Sequence, residues 1–278
     1  MRQSIKLLMA AAVASISFAG AASAADMAVK ARPLPPAIFN WTGFYIGGFV
    51  GGAGADRDAW QSEPVTPAGV LYNGTAFGTS YGLGSSFIGG GTIGYNWQAP
   101  GSAFVLGVEG EVGYLHLTGS RQDVNARLAG FSLPDSIDST RIGDWYGVLA
   151  GRAGWAVNNA LFYFKGGVAF VDRRSSFNDS CIGPGAPACG PSALIINQGN
   201  STQATYAVGG GIEYAFNNNW SLKGEYLYLG TQKNYTGSGI AAGGFAGFLF
   251  SNSASDPGVH TGKIGLNYRW GGPIVAKY

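Results

Sequence analysis

The charged residues of this chain fall on one side of an alternating pattern, and this segregation constrains the fold more than any other feature. From Trp41 onward, apolar and aromatic residues recur at every second position in eight segments, which is the period of a β-strand. The segments lie near 43–54, 86–97, 103–117, 145–157, 161–171, 205–216, 220–229 and 259–270. The opposite positions carry Glu109, Glu111, Arg152, Lys165, Glu213, Lys223, Glu225, Lys263 and Arg269.

This distribution is the reverse of the one expected for a soluble barrel or sandwich, which turns its charges towards water. The uncharged face ends in Trp, Tyr and Phe, the residues that flank the lipid-facing band of a membrane barrel. A charge that faces lipid at the bilayer midplane costs about 2–4 kcal/mol, which explains so strict a segregation. We therefore expect the nine charges to line the interior of a membrane barrel.

Composition excludes several other classes of protein. The chain has 278 residues, of which 47 are Gly and 12% are charged, whereas a soluble domain has roughly 25% charged residues and about 7% Gly. Its aromatic content of 13% is too high for a disordered chain. After residue 25 there is no run of about 20 apolar residues, as a membrane-spanning helix requires.

The connections between the segments predict a closed barrel. Strand backbones in lipid need protein partners for every N–H and C=O group, and closure provides them. Short connections (QAPGS, NNA and NNN) alternate with four connections of about 30 residues each, the asymmetry of an outer-membrane barrel. We predict an all-β fold, an eight-stranded antiparallel transmembrane β-barrel with four long external loops. A strand pair hidden in a long loop, which would give ten strands, is the alternative.

The N-terminal segment predicts export. Residues 1–24 have two basic residues, an apolar stretch and the small-residue exit Ala22-Ser23-Ala24, so they are predicted to be a signal peptide. Residues 25–40 are predicted to be a Pro-rich periplasmic leader, and residues 41–278 the barrel. Of the 17 basic residues, Arg2 and Lys6 lie in the signal peptide, so the remainder equals the 15 acidic residues. This balance favours no nucleic-acid partner.

Two cysteines, Cys181 and Cys189, flank a Pro/Gly-rich stretch in the third long connection. In an exported protein this spacing predicts a local disulfide that braces the loop. A metal site is the competing interpretation, but His116 and His260 are distant in sequence.

Four stretches of the chain resemble the alphaproteobacterial outer-membrane immunogenic, or porin-family, β-barrel proteins. They are FNWTGFYIGG at 39–48, IGGGTIGYNWQ at 88–98, WSLKGEYLYLG at 220–230 and KIGLNYRWGGPIVAKY at 263–278. The resemblance covers essentially the whole mature chain and implies an eight-stranded barrel, like the transmembrane domain of OmpA, at the surface of the Gram-negative outer membrane. It implies no established enzymatic role. No cofactor is predicted from the sequence.

Three functions remain open at this point. The first is a structural, surface-exposed barrel that supports envelope integrity, with the inward charges paired as a plug. The second is a small porin, with the same charges lining a narrow aqueous channel. The third is a surface protein that binds a ligand such as haemin, as some members of the family do, or contacts a host.

The expected partners are outer-membrane lipid and lipopolysaccharide. Arg173 and Arg174, at the start of the third long connection, are candidates to meet its phosphates, and solvated loop charge is the alternative interpretation. Peptidoglycan is a further expected partner, because barrels of this kind in related bacteria can be joined to it through an N-terminal Ala-Asp. Ala25 and Asp26 match that pair if cleavage follows Ala24. No carboxylate is expected beside either histidine on the outward face, so an enzyme is not predicted. The oligomeric state is left open.

Overall fold

Two antiparallel β-sheets make up the described part of the chain. The computed structural model describes residues 39–72, 76–122, 136–179, 194–230, 234–241 and 246–270. In these ranges no helix is long and apolar enough to cross a membrane. The strands are β1 Gly43–Ala55, β2 Ala59–Gln61, β3 Thr79–Tyr81, β4 Ser85–Gln98, β5 Phe104–Gln122, β6 Ser136–Val157, β7 Ala160–Asp179, β8 Leu194–Ala215, β9 Trp220–Leu229, β10 Tyr235–Ile240, β11 Leu249–Ser255 and β12 Val259–Trp270.

The larger sheet is a closed barrel of eight strands. Its order is β1-β12-β9-β8-β7-β6-β5-β4, and β1 closes it by pairing with both β12 and β4. The predicted eight-stranded antiparallel barrel is therefore confirmed. The long connections do contain further strands, but β10, β11, β2 and β3 form a separate four-stranded sheet and do not enlarge the barrel.

Four barrel strands run further than the sequence pattern predicted. β5 continues to Gln122, β6 begins at Ser136, β7 continues to Asp179 and β8 begins at Leu194. The apolar alternation fades there because Ser, Asn and Arg face outward, but the backbone ladder continues, as between Ser139 and Ser176. The second and third long connections are thus much shorter than the predicted length of about 30 residues. They occupy 123–135 and 180–193, outside the described residues.

Alternation along the strands separates two environments. In β9 the residues from Trp220 to Tyr226 alternate between exposed and buried. The outward side chains are large and apolar, as at Leu149 and Ile264, both 63% exposed. Soluble monomers rarely expose an apolar surface this continuous, so it indicates a surface that contacts something other than water.

The barrel has two unlike ends. We call the end with the short connections 99–103, 158–159 and 216–219 the turn end, and the other the loop end. At the loop end, β10 packs against β8, and β3 against β5. We call the small sheet, together with the extended ends of β5 to β8, the head. It has its own apolar core of Tyr72, Phe177, Leu194, Ile196, Ala241 and Phe250.

Candidate functional site

The lumen of the barrel collects the charges that the alternation singled out. All nine residues are at most 6% exposed. Eight of them form one ion-pair network, which we call the charge layer: Glu109, Glu111, Arg152, Lys165, Glu213, Lys223, Glu225 and Lys263. The layer has four carboxylates and four cations, so its formal charge is balanced.

Lys165 is the centre of this network. Its Nζ lies 2.6 Å from Glu109 Oε1, 2.8 Å from Glu111 Oε2 and 3.2 Å from Glu225 Oε1. The four side chains are fully buried. Burial of an ammonium group is tolerated when carboxylates surround it in this way, because their attraction offsets the cost of leaving water.

Arg152 and Lys263 extend the network to the rest of the wall. Arg152 Nη2 lies 2.8 Å from Glu213 Oε2, and its Nη1 lies 3.4 Å from Glu109 Oε2. Lys263 Nζ lies 2.7 Å from Glu225 Oε1. These residues come from β5, β6, β8, β9 and β12, so the network ties together strands on several sides of the lumen.

Three tyrosines donate further hydrogen bonds to the carboxylates of the charge layer. Tyr45 donates to Glu109 over 2.7 Å, Tyr146 to Glu111 over 2.7 Å, and Tyr163 to Glu225 over 2.8 Å. The Arg152 guanidinium also lies 3.9 Å from the centre of the Tyr163 ring. The aromatic rings fill the space beside the inward glycines, so the layer is packed as well as neutral.

The charge layer also contains a set of acids that could hold a metal ion. Carboxylate oxygens of Glu109, Glu111 and Glu225 lie within 4.8 Å of one another. Because Lys165 contacts all three, the positive charge that these acids require is already present in the chain. The cluster therefore acts as an acceptor for lysine and gives no reason to invoke a metal.

Arg269 lies apart from the layer, which corrects the expectation that every inward cation would pair with a carboxylate. Its guanidinium donates to the carbonyl oxygens of Asn40 over 2.5 Å and Asn218 over 2.8 Å. It also lies 4.4 Å from the centre of the Phe39 ring. Arg269 is part of a cover on the turn end rather than part of the charge layer.

The turn end of the lumen is closed by residues just before β1. Trp41 is 2% exposed, and its backbone N–H donates to Gln98 Oε1 over 2.7 Å. A cavity of about 10 Å³ lies between this cover and the charge layer, lined in part by Tyr45, Glu213 and Arg269. That volume admits about one water molecule.

The loop end of the lumen is closed by an apolar layer that sequence reasoning missed. Its members lie at inward positions on six barrel strands or in the connections above them, and each is at most 2% exposed: Leu83, Ile88, Leu115, Leu117, Ile142, Val148, Val171, Leu227, Leu229 and Val259. The signal was in the sequence, because inward positions near the long connections are aliphatic while those further along the strands are charged.

The two histidines lie on the outward face at the loop end. His116 Nδ1 lies 2.8 Å from Asp144 Oδ1, so the expectation that no carboxylate lies beside a histidine is wrong. A bulge between Ile142 and Tyr146 turns Asp144 outward, which strand alternation does not reveal. His260 Nδ1 lies 2.6 Å from the hydroxyl of Tyr226.

The sequence comparisons settle the family. Residues 10–269 match the family described as outer membrane protein beta-barrel domain. The chain belongs to this family. It is 31% identical over 271 residues to the 31 kDa outer-membrane immunogenic protein of Brucella melitensis, covering 96% of this chain and 100% of that protein. It is 30% identical over 207 residues to the 22 kDa outer membrane protein of Rhizobium leguminosarum, covering 73% of this chain and 70% of that protein.

Among solved structures, OprG from Pseudomonas aeruginosa aligns with 84% of this chain and 98% of its own, at 16% identity and a TM-score of 0.43. The family and its relatives confirm the predicted resemblance and place this outer-membrane barrel protein in the outer membrane of Gram-negative bacteria. The relatives are immunogenic or outer-membrane proteins by name, and none of these names denotes an enzyme.

Several predicted features of this outer-membrane barrel lie outside the described residues. They are the signal peptide, the leader up to residue 38, Ala25 and Asp26, and the pair Cys181 and Cys189. The end of the predicted leader is described, and there Phe39 and Asn40 contact Arg269 at the turn end.

Arg173 and Arg174 face opposite ways, which corrects their joint assignment to lipopolysaccharide. Arg173 is 2% exposed and donates to the carbonyl oxygen of Gly230 over 3.0 Å, whereas the Arg174 side chain is 52% exposed. The two residues are consecutive on β7, which continues to Asp179, so strand alternation itself places them on opposite faces.

Arg173 also lies 3.7 Å from Asp256, a buried carboxylate in the head. Asp256 accepts a hydrogen bond of 2.5 Å from Tyr235. Burial raises the pKa of the Asp256 carboxyl above its ordinary value, and neither Tyr235 nor Arg173 fully offsets this effect.

Proposed function

We propose that this protein is a non-conducting outer-membrane barrel that carries a β-structured head at the cell surface and supports the envelope. The observation that carries the proposal is the stacking of three closures in one lumen. These are the cover at the turn end, the charge layer, and the apolar layer at the loop end. Eight-stranded barrels have interiors just wide enough for side chains, which agrees with this reading.

The outward surface of the barrel has the pattern expected of a surface embedded in a lipid bilayer. Apolar side chains such as Leu149 and Ile264 lie between two bands of aromatic residues. The turn-end band includes Trp97, Trp155 and Trp220, and the loop-end band includes Tyr114, Trp145 and Tyr226. Outer-membrane barrels have short periplasmic turns and long external loops, so we assign the turn end to the periplasm and the head to the outside.

Cysteine labelling of intact cells tests this orientation. In a chain with Cys181 and Cys189 replaced by Ser, we expect I240C in the head to react with a membrane-impermeant maleimide on intact cells. The matched variant N217C, in an exposed turn, should react only after the cells are permeabilised. Labelling of N217C but not I240C on intact cells would reverse the orientation and contradict the proposal.

We also propose that the mature N-terminus links the barrel to peptidoglycan. Cleavage after Ala24 would free the amine of Ala25 for an acyl linkage, with Asp26 available for recognition. Proline residues in the leader favour an extended spacer of about 3.1 Å per residue, which could span from barrel to wall. Phe39, the first described residue after the leader, lies at the turn end, which is the side that we assign to the periplasm.

Boiling sacculi in detergent tests the linkage. A linked fraction should stay with the sacculi and be released by muramidase, and deletion of Ala25 and Asp26 with cleavage preserved should abolish that fraction. Sacculi from the native host that carry none of the protein would exclude the linkage without affecting the proposal for the barrel.

A further inference from the structure

A group of polar side chains interrupts the outward surface just beyond the loop-end aromatic band. We call His116, Arg141, Asp144 and Arg174 the rim cluster. Asp144 joins two of its members, since Oδ1 lies 2.8 Å from His116 Nδ1 and Oδ2 lies 3.1 Å from Arg141 Nη2. The four side chains are 31–52% exposed, so the cluster is accessible from outside.

An irregularity in β6 builds this cluster. Gly143 and Asp144 have positive φ angles of 109° and 77° at the bulge between Ile142 and Tyr146. Positive φ is uncommon outside glycine, although Asp adopts it more readily than most residues. Through this bulge the carboxylate faces outward between a histidine and an arginine. On β7, ordinary alternation places Arg174 outward at the same level.

The two arginines of the rim cluster face each other across neighbouring strands. Arg141 and Arg174 are direct cross-strand partners, an arrangement that is unfavourable for like charges. Arg174 Nη2 has its own carboxylate contact, 3.2 Å from Asp172 Oδ2. Each guanidinium has five N–H donors in a planar fork, and one carboxylate contact occupies at most two of them. The pair can therefore accept an anion between its two forks.

An apolar furrow of about 540 Å³ lies on the same strands below the rim cluster. Gly110, Val112, Gly147, Leu149 and Phe170 are among its lining residues. A Cβ at Gly110 or Gly147 would meet nothing closer than 3.6 Å, so the chain's own packing does not require glycine there. The furrow is open because these positions lack side chains.

The separation of the two features matches one leaflet of a membrane. From Gly147 in the furrow to Arg141 in the rim cluster is six residues of β6, or at most about 20 Å along the strand at 3.3 Å per residue. Because barrel strands tilt by about 35–45°, this corresponds to at most about 15 Å along the membrane normal. Half of a hydrocarbon core is about 15 Å, and the headgroup region adds several more. A lipid with its chains in the furrow would place its headgroup at the two arginines.

We infer that the rim cluster and the furrow form a binding site for a phosphorylated, multiply acylated glycolipid of the outer leaflet. Arg141 and Arg174 hold a phosphate in charge-assisted hydrogen bonds. His116 and Asp144 hold Arg141 in place and present polar groups to the sugar. The acyl chains lie along the glycine-lined furrow. This inference rests on the orientation given in the proposed function and adds the ligand class.

Lipid retention by the refolded full-length chain, measured by native mass spectrometry, tests the inference with two probes. These are bisphosphorylated lipid A and the same lipid A with its phosphates removed. Because a hydrogen bond between charged groups is worth about a tenfold change in affinity, wild type should bind the phosphorylated probe at least about tenfold more tightly. R141A and R174A should each reduce this preference, while R57A, a matched arginine elsewhere at the loop end, should retain it.

Filling the furrow provides an independent measurement. G147L should weaken binding of both probes and leave the phosphate preference intact. The control G262L adds a leucine at an outward glycine where a Cβ meets nothing within 4 Å, and it should bind as wild type does. If R141A fails to refold, R174A and R141K decide the same question, because lysine keeps the charge without the planar fork.

Equal retention of both probes by wild type would overturn the inference, as would an equal loss of preference in R57A. Free glucosamine phosphate lacks the acyl chains that fill the furrow, so it should not displace the phosphorylated probe at equimolar concentration. Displacement at that concentration would overturn the role of the furrow in binding. The labelling of I240C and N217C is independent of these results, so failure of the lipid site and failure of the orientation are distinguishable.

Discussion

Lys263 Nζ lies 2.5 Å from Glu111 Oε1, although β12 and β5 are not neighbours in the barrel. The contact therefore crosses the lumen instead of running along the wall. Neither side chain is more than 1% exposed. Pairs of this kind make the charge layer a partition, because opposite walls are joined by ion pairs that leave no space for bulk water between them.

Removing one cation from the layer should be costly. In R152L, Glu109 and Glu213 lose a partner while staying buried, and breaking a buried ion pair costs about 3–5 kcal/mol. We expect a loss of that size in the free energy of unfolding, measured by urea titration in lipid vesicles. R57L, which removes an exposed arginine, should change stability by less than about 1 kcal/mol. An unchanged urea midpoint for R152L would show that the plug account is wrong.

A charge on the outward face should be costly for a different reason. Leu149 faces outward and is 63% exposed, so in L149R the guanidinium meets lipid at a cost of about 2–4 kcal/mol. Ile240 is 69% exposed in the head, and I240R places the same group in water. Urea unfolding from vesicles should thus distinguish the two variants. Equal stability of L149R and wild type would remove Leu149 from the lipid-facing surface.

Two glycines on opposite faces predict opposite effects of the same substitution. A Cβ at Gly167 points inward and overlaps the carbonyl oxygen of Leu149, whereas one at Gly151 points outward and meets nothing closer than 4.0 Å. The free energy of unfolding of G167A should be lower than that of wild type by about 1–3 kcal/mol, because the added methyl group overpacks the interior. G151A should gain up to about 1 kcal/mol, because alanine loses less backbone entropy in a strand. Thermal or urea unfolding that ranks G167A above G151A would contradict the described packing.

The head should show a pH dependence that arises from Asp256. Its pKa is raised in the folded state, so ionisation is less favourable there than in the unfolded chain. Stability is therefore lost as the pH rises through the folded pKa, and the loss is absent below the unfolded value. D256N has no carboxyl group at this position and lacks this loss. Its free energy of unfolding should therefore rise relative to that of wild type as the pH increases from about 4 to about 7. A constant difference between the two proteins over that range would contradict a raised pKa.

Much of the barrel was predictable because its physics is local in sequence. Charges at Glu109 and Lys165 alternate with apolar residues, and period two alone assigns each to a face. The same period also places Leu115 and Leu227 inward, but the sequence pattern does not say at what height in the lumen they meet. That depends on the register between strands, which comes from long-range pairing.

The features that the sequence did not predict lie where the period-two alternation of apolar residues is interrupted or ends. The bulge in β6 turns Asp144 outward although even positions face inward on both sides of it, at Ile142 and at Tyr146. Arg173 and Arg174 obey ordinary alternation, but the sequence pattern assigned both to a loop because the apolar period ends before them. The small sheet of the head pairs β11 with β2, which lie at opposite ends of the barrel sequence. Arg269 was placed inward correctly by parity, but its carbonyl partners Asn40 and Asn218 lie in segments without a regular period.

Conductance of the purified, refolded full-length protein in a planar bilayer tests the sealed lumen most directly. We predict no reproducible conductance steps for wild type, because the apolar layer and the charge layer close the lumen in series. A 16-stranded porin, whose lumen is an aqueous channel, is reconstituted in the same way as the control that a conducting pore is detectable. Reproducible steps from wild type would contradict the account and establish the porin alternative.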